Sequence, residues 1–77
     1  MYVIRDVMAN EDAPGIECET VEDVARELFD ICYIADYPPS YNYVTAYYCI
    51  ELNGLCVCHF DKKLRATFDS LIAEEDR

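Results

Sequence analysis

The spacing of apolar residues divides the first half of the chain into a strand, a loop and a helix. Residues 2–8 are short and rich in β-forming side chains, and they predict a strand. Turn-forming residues then gather up to the Pro14-Gly15 pair, so residues 9–19 are expected to form an acidic surface loop.

Between positions 20 and 35, apolar residues recur every three or four positions, which predicts an amphipathic helix over residues 20–35. Thr20 and Asp23 have the spacing of a capping box and mark its start. Pro38 and Pro39 end it, because proline lacks an N–H donor and pushes the preceding residue out of the helical region. The apolar stripe consists of Val21, Val24, Ala25, Leu28, Ile31, Cys32 and Ala35.

Residues 43–60 predict a β-hairpin, because two β-rich runs flank Asn53-Gly54, the strongest short hairpin signal. A two-residue type I′ turn at that position sets the register of the two strands. One face, assigned to the core, then pairs Leu52 with Leu55, Ile50 with Val57 and Tyr48 with His59. The other face pairs Glu51 with Cys56, Cys49 with Cys58 and Tyr47 with Phe60.

Asp61 is a candidate N-cap for a last helix over residues 62–74, whose apolar side carries Leu64, Phe68, Leu71 and Ile72. The element order is therefore β-α-β-β-α. The predicted fold class is α+β, a single small domain with a three-stranded, mainly antiparallel sheet and two helices. The sequence leaves open which face of the sheet the helices cover.

Composition and charge limit the kinds of partner that the chain is expected to bind. The 77 residues are 53% hydrophobic, which indicates a folded chain, and 6 Lys and Arg oppose 16 Asp and Glu for a net charge of -10. We therefore expect basic partners, and no direct binding to nucleic acid or to an anionic membrane. Without a long apolar segment or a basic-then-apolar N-terminus, the chain is predicted to be cytoplasmic.

The five cysteines, at positions 18, 32, 49, 56 and 58, are expected to be free thiols in a reducing compartment. Cys56, Cys58 and His59 are zinc-type ligands, and Cys49 lies across the hairpin. Strand alternation turns His59 to the other face, however, and the spacing matches no standard zinc module. A cross-strand disulfide between Cys49 and Cys58 is a further alternative. The prediction is no metal and no cofactor.

Catalysis is not predicted either. His59 is the single histidine, and it would have to meet Cys32 or Cys49 to activate a nucleophile. The sequence has no glycine-rich phosphate loop, nucleophile elbow or metal-ligand helix, and so short a chain leaves little scaffold for a deep pocket. We therefore expect a non-enzymatic protein with no catalytic residue.

Acidic residues are concentrated in one segment of the sequence. From Glu11 to Asp36, nine carboxylates face a single basic residue, Arg26. So many fixed negative charges can present the potential of a phosphate backbone to a basic groove. The candidate phosphate surrogates are Glu19, Glu22, Asp23, Glu27 and Asp30. Five tyrosines lie between positions 37 and 48, and tyrosine is enriched at interfaces, so the candidate anchors are Tyr41, Tyr43 and Tyr47.

In its size, acidity, β-α-β-β-α order and tyrosine-rich hairpin, the chain resembles the small acidic proteins that phages encode against bacterial defence. These include anti-CRISPR proteins and DNA-mimic anti-restriction inhibitors. The resemblance implies a stoichiometric inhibitor that acts in the cytoplasm of a bacterial host. Its partner would be a basic nucleic-acid-binding protein, such as a CRISPR effector complex or a restriction nuclease, whose DNA site the carboxylates would occupy.

Two other classes of function compete with this one. The first is a homo-oligomeric or regulatory interaction module, for example a homodimer, that uses the Tyr/Cys face of the sheet while the charge serves solubility. The second is a small cysteine-based metal or redox protein.

Overall fold

The computed structural model describes residues 1–8, 13–36, 38–58 and 60–75. Within these residues the α+β class is confirmed, with four strands and three helices instead of the expected three and two. Two short elements, one before each of the longest predicted elements, account for the difference. The elements are β1 (Tyr2–Asp6), β2 (Ile16–Cys18), α1 (Val21–Ile34), α2 (Tyr41–Val44), β3 (Tyr48–Leu52), β4 (Leu55–Cys56) and α3 (Lys62–Glu75).

The strands form one antiparallel sheet in the order β2-β1-β3-β4. β1 lies inside the sheet, so Ile4 stands opposite Ile16 on one side and opposite Ile50 on the other. Strand β1 ends at Asp6 rather than at residue 8, because the Asp6 carboxylate accepts the N–H of Met8 and turns the chain.

The predicted acidic loop over residues 9–19 is wrong in its last part, because residues 16–18 pair with β1 as strand β2. Residues 9–12 lie outside the described residues. Gly15 allows the close approach of β2 to β1: a Cβ atom there would stand 2.4 Å from Cγ1 of Val3. Cys18, the last residue of β2, is buried in the core.

Helix α1 begins where the sequence predicts. Thr20 is the N-cap, and its hydroxyl accepts the N–H of Asp23 at 3.1 Å. The helix ends at Ile34, and Asp36 then adopts a positive φ of 58°, which closes the turn. The predicted stripe is confirmed at the five residues that lie in the core, Val21, Val24, Ala25, Leu28 and Cys32. Ile31 is half-buried, and Ala35, which follows the helix, is exposed.

The start of the predicted hairpin is wrong, because Tyr41–Val44 form helix α2 and β3 begins only at Tyr48. Ser40 caps α2 by accepting the N–H of Tyr43. Tyr41 and Val44, three positions apart, both enter the core, which a helical turn allows and strand alternation does not.

The predicted register of the turn is confirmed: Leu52 pairs with Leu55 and Glu51 with Cys56. Asn53 and Gly54 have the positive φ values, 54° and 85°, that a type I′ turn requires. The returning strand is shorter than predicted, however, and β4 ends at Cys56.

Beyond β4, one more ladder bond joins the N–H of Val57 to the carbonyl of Ile50, and the chain then leaves the sheet. The N–H groups of Phe60 and Asp61 both donate to the Val57 carbonyl, which forms a turn. The predicted strand pair of Tyr47 with Phe60 is therefore wrong. The predicted pair of Tyr48 with His59 lies outside the described residues.

Helix α3 begins as predicted, because the Asp61 carboxylate accepts the N–H of Leu64 at 3.0 Å. The other oxygen of Asp61 accepts the hydroxyl of Tyr2 at 2.9 Å, which ties β1 to the start of this helix. None of the helices in the described part of the chain has the length and apolar character that crossing a membrane requires.

Helices α1 and α3 pack on each other and cover one face of the sheet. This is the face of Ile4 and Ile50, so the predicted core face is confirmed at Ile50, but Leu55 of the same predicted face is 72% exposed. Phe68 of α3 joins the layers, with its ring centroid 6.2 Å from that of Phe29 and 5.8 Å from that of Tyr41. The opposite face carries Val3, Arg5, Glu17, Cys49 and Glu51, none of which is buried.

Candidate functional site

The five carboxylates predicted as phosphate surrogates all lie outside the core. Four of these carboxylates, those of Glu22, Asp23, Glu27 and Asp30, belong to α1. Together with Arg26 of the same helix, they lie within about 140° around the helix axis, because their spacing follows the helical period. The buried stripe occupies the other side of α1. We call this surface the acidic face, and it consists of Glu19, Glu22, Asp23, Glu27 and Asp30, of which only Glu27 is half-buried and the rest are exposed.

The charge density of the acidic face is close to that of a nucleic acid strand. From Glu22 to Asp30, α1 rises about 12 Å and carries a net charge of about -3, or one charge per roughly 4 Å. A single strand of duplex DNA carries one charge per about 3.4 Å. Lys63 of α3 lies 3.9 Å from Glu22, so one end of the face is partly neutralised.

A shallow groove of about 310 Å³ opens between α1 and α3 at one end of the acidic face. Phe29 and Leu71 supply apolar walls, and Asp30 and Glu74 supply carboxylates beside Arg26. This combination suits the aliphatic stem and charged head of a lysine or an arginine.

The field of the acidic face extends inward to Cys18. Burial raises the pKa of the Cys18 thiol, and the negative charges of Glu27 and Asp23 raise it further. Cys18 is therefore held as a neutral thiol beneath the carboxylates.

Tyr41 is a core residue, which corrects its predicted place among the surface anchors. Its side chain is only 3% exposed, its ring meets the edge of Phe68, and its hydroxyl donates to the carbonyl of Cys58 at 2.5 Å. Burial raises its pKa far above the ordinary value, so the hydroxyl stays protonated.

Tyr43 and Tyr47 do reach the surface, where they are 39% and 40% exposed. Their ring centroids lie 5.5 Å apart at an interplanar angle of 51°. We call them the tyrosine pair. The pair lies on α2 and the turn after it, whereas the carboxylates lie on and before α1, so the predicted interface is divided between two elements.

Three cysteines converge at the end of the hairpin. The Sγ atoms of Cys49, Cys56 and Cys58 all lie within 4.8 Å of one another, and those of Cys56 and Cys58 are 3.6 Å apart. We call them the thiol cluster. Cys49 belongs to β3, Cys56 to β4, and Cys58 to the turn that follows. All three are free cysteines in the structure.

The members of the thiol cluster differ in acidity. The Cys49 thiol hydrogen-bonds to Cys56, which lowers the pKa of Cys56 because the bond favours its thiolate. Burial, together with this same bond, raises the pKa of Cys49 to about 12. Burial also raises the pKa of Cys58. Cys56 is the exposed member of the cluster.

The hairpin register places Cys49, Cys56 and Cys58 on one face of the hairpin, but it does not predict that strand β4 ends before Cys58. Cys58 is positioned by the turn after Val57 and by the hydroxyl of Tyr41, two features that depend on the tertiary fold. In comparisons with known proteins, no family model, no curated protein and no solved structure matches the chain.

Proposed function

We propose that this chain is a non-catalytic acidic protein that binds and inhibits a basic nucleic-acid-binding protein, with the acidic face in the place of a DNA strand. The observation that carries the proposal is the linear charge density of α1, about one negative charge per 4 Å on a rigid helix. Such a surface is complementary to a channel lined by lysine and arginine.

The helix supports this role because it fixes the carboxylates without using them for folding. The N-cap bond of Thr20 and the buried stripe hold α1 in place, and both leave the exposed side available to a partner. Preorganised charges lose little conformational freedom on binding, which favours affinity.

Apolar contacts would add to the affinity of the charged surface, since exposed charge pairs mainly steer association. The groove beside Asp30 fits a basic side chain of the partner, and the tyrosine pair offers a second, aromatic contact. In this proposal the protein is a phage-encoded inhibitor of the anti-CRISPR or anti-restriction kind. It acts in the cytoplasm of the bacterial host on a CRISPR effector complex or a restriction nuclease.

The test is a DNA-binding assay with a CRISPR effector complex and a restriction nuclease as probes. The protein should abolish DNA binding by one of them at a stoichiometric ratio, and the inhibition should fade as salt shortens the Debye length from about 10 Å to about 3 Å. A variant with Glu22→Gln, Glu27→Gln and Asp30→Asn should bind at least about tenfold more weakly, because it removes charge from the acidic face alone.

A second triple variant serves as the matched control. Glu17→Gln, Asp36→Asn and Asp69→Asn remove the same number of charges from exposed positions outside the acidic face. This variant should inhibit nearly as well as the original protein. Equal losses in the two variants, or a salt-resistant homodimer that leaves DNA binding intact, would contradict the proposal and favour the interaction-module alternative.

A further inference from the structure

The thiol cluster has the spacing of a metal site. In tetrahedral zinc coordination the Zn–S bond is about 2.3 Å, so neighbouring sulfurs stand about 3.8 Å apart. The Sγ atoms of Cys56 and Cys58 are 3.6 Å apart, and Cys49 completes a triangle in which no distance exceeds 4.8 Å. Small side-chain rotations would bring all three sulfurs to bonding distance of one ion.

The backbone around the cluster holds Cys58 in place. The N–H of Ile50 donates to the Cys58 sulfur at 3.1 Å, and the hydroxyl of Tyr41 holds the Cys58 carbonyl. A donor aimed at sulfur stabilises a metal-bound thiolate, and such outer contacts orient metal ligands in general. Cys58 is 4% exposed, so this contact lies away from water.

Solvent reaches the thiol cluster on the side of Cys56 and Cys49. Cys56 is exposed on β4, which is the edge strand of the sheet, and Cys49 is half-buried beside it. An ion can therefore reach the sulfurs from solvent without opening the core. Three thiolates with one solvent-facing position suit a four-coordinate zinc ion or a three-coordinate copper(I) ion, both of which prefer soft sulfur ligands.

We propose that Cys49, Cys56 and Cys58 form a three-thiolate site for a thiophilic d¹⁰ metal ion, Zn²⁺ or Cu⁺. Each thiol gives up its proton when its sulfur binds the ion, so three protons are released and no electron is transferred. The bound ion would join β3, β4 and the turn after β4. His59 follows Cys58 in the sequence and lies outside the described residues.

The experiment uses the full chain, stripped of metal by a chelator and kept reduced by a phosphine, so that no disulfide forms. Zn²⁺ is titrated in competition with a chromophoric chelator, Cu⁺ is titrated in the same way, and Co²⁺ reports coordination through its sulfur-to-metal charge-transfer absorption. We expect one ion per chain. At a hundredfold excess over the dissociation constant, the ion should raise the melting temperature by at least about 10 °C.

Cys56→Ser is the decisive variant, because its side chain is exposed and its loss does not disturb the core. It should weaken ion binding at least about a hundredfold and abolish the charge-transfer absorption. Cys18→Ala, which removes a thiol outside the cluster, is the control and should bind as the original chain does. Equal binding by the two variants, or no ion bound by the original chain, would overturn the proposal.

The separate titrations with Zn²⁺ and Cu⁺ distinguish the two ions. Tighter binding of Zn²⁺ assigns the site to zinc, and tighter binding of Cu⁺ through the same three cysteines assigns it to copper(I). The proposal does not depend on the inhibitor function, since metal binding is measured without a protein partner.

Discussion

The acidic face and the thiol cluster organise their side chains in opposite ways. Along α1, like charges are spread over one helix, and the buried stripe on its other side holds them in place against their mutual repulsion. At the hairpin end, three side chains from two strands and a turn meet within 4.8 Å. The acidic face is distributed along one helix, whereas the thiol cluster is concentrated at the point where two strands and a turn meet.

This difference determines how each region should respond to change. In the acidic face each carboxylate supplies a small part of a summed field, so a single substitution has a small effect and several must be combined. In the thiol cluster each sulfur is one of only three ligands, so a single substitution should remove the site. A substitution that damages both regions equally must act through the core that they share.

Phe68→Ala is expected to have the largest effect, because the Phe68 ring contacts Phe29 of α1 on one side and Tyr41 on the other. Tyr41 in turn holds Cys58, so both regions rest on this ring. Truncating a fully buried phenylalanine costs about 3–5 kcal/mol, which is a large part of the stability of a small domain. Urea denaturation should show this loss.

Phe60→Ala is the matched control for Phe68→Ala, because the Phe60 side chain is 82% exposed. Its unfolding free energy should change by no more than about 0.5 kcal/mol. Both binding properties are measured in conditions where Phe68→Ala is folded. If this variant lost metal binding but kept partner binding unchanged, the acidic face and the thiol cluster would not both depend on the Phe68 ring.

Tyr41→Phe should separate the two regions. It removes the hydroxyl that donates to the Cys58 carbonyl and leaves that buried acceptor without its partner, at a cost of about 1–3 kcal/mol. The ring packing against Phe68 remains. Metal binding by the thiol cluster should weaken, while inhibition through the acidic face should be retained. Tyr33→Phe, at a tyrosine that is 79% exposed, should change neither property.

The same substitution should alter the response to alkaline pH. The ordinary pKa of tyrosine is 10.0, and burial raises the pKa of Tyr41 in the folded chain. Its contribution to stability is therefore fully present below pH 10 and is lost as the pH rises further, because the unfolded chain releases the proton first. The unfolding free energy should fall less steeply above about pH 10 in Tyr41→Phe than in the original chain. Parallel curves would show that Tyr41 has no part in alkaline unfolding.

The features that the sequence predicted correctly are those with local causes. Helix α1 follows from the helical spacing of its apolar residues and from its N-cap, Thr20. The Thr20 hydroxyl accepts the N–H of Asp23, three residues later. The hairpin register follows from Asn53 and Gly54, whose positive φ values suit a type I′ turn. In each case the determining contacts lie within a few residues of one another.

The features that the sequence did not predict are short elements, whose form depends on burial and strand pairing as well as on local signals. The β-forming residues around Tyr43 favour a strand, but the Ser40 cap and the burial of Tyr41 and Val44 produce helix α2 instead. Strand β2 has only three residues and exists through its pairing with β1. The hairpin register predicts that the three thiols share one face, but the chain reaches this arrangement through the turn after Val57 and not through a longer strand β4.

The smallest expected effects concern two exposed ion pairs, one near each region. On the outer face of the sheet, Arg5 pairs with Glu51, next to Cys49 and Cys56 in the strand register. At the acidic face, Lys63 lies near Glu22.

Arg5→Gln should lower the unfolding free energy by no more than about 1 kcal/mol, as is usual for exposed pairs. Glu22→Gln should also lower the unfolding free energy by no more than about 1 kcal/mol, because it removes the pair with Lys63 and a negative charge in the first turn of α1. Urea denaturation at low salt and at about 1 M salt measures both, and the two variants should converge with the original chain at high salt. A loss of several kcal/mol at low salt in Glu22→Gln would show that the acidic face depends on its pairing with α3 and not on the buried stripe, and the contrast with the thiol cluster would fail.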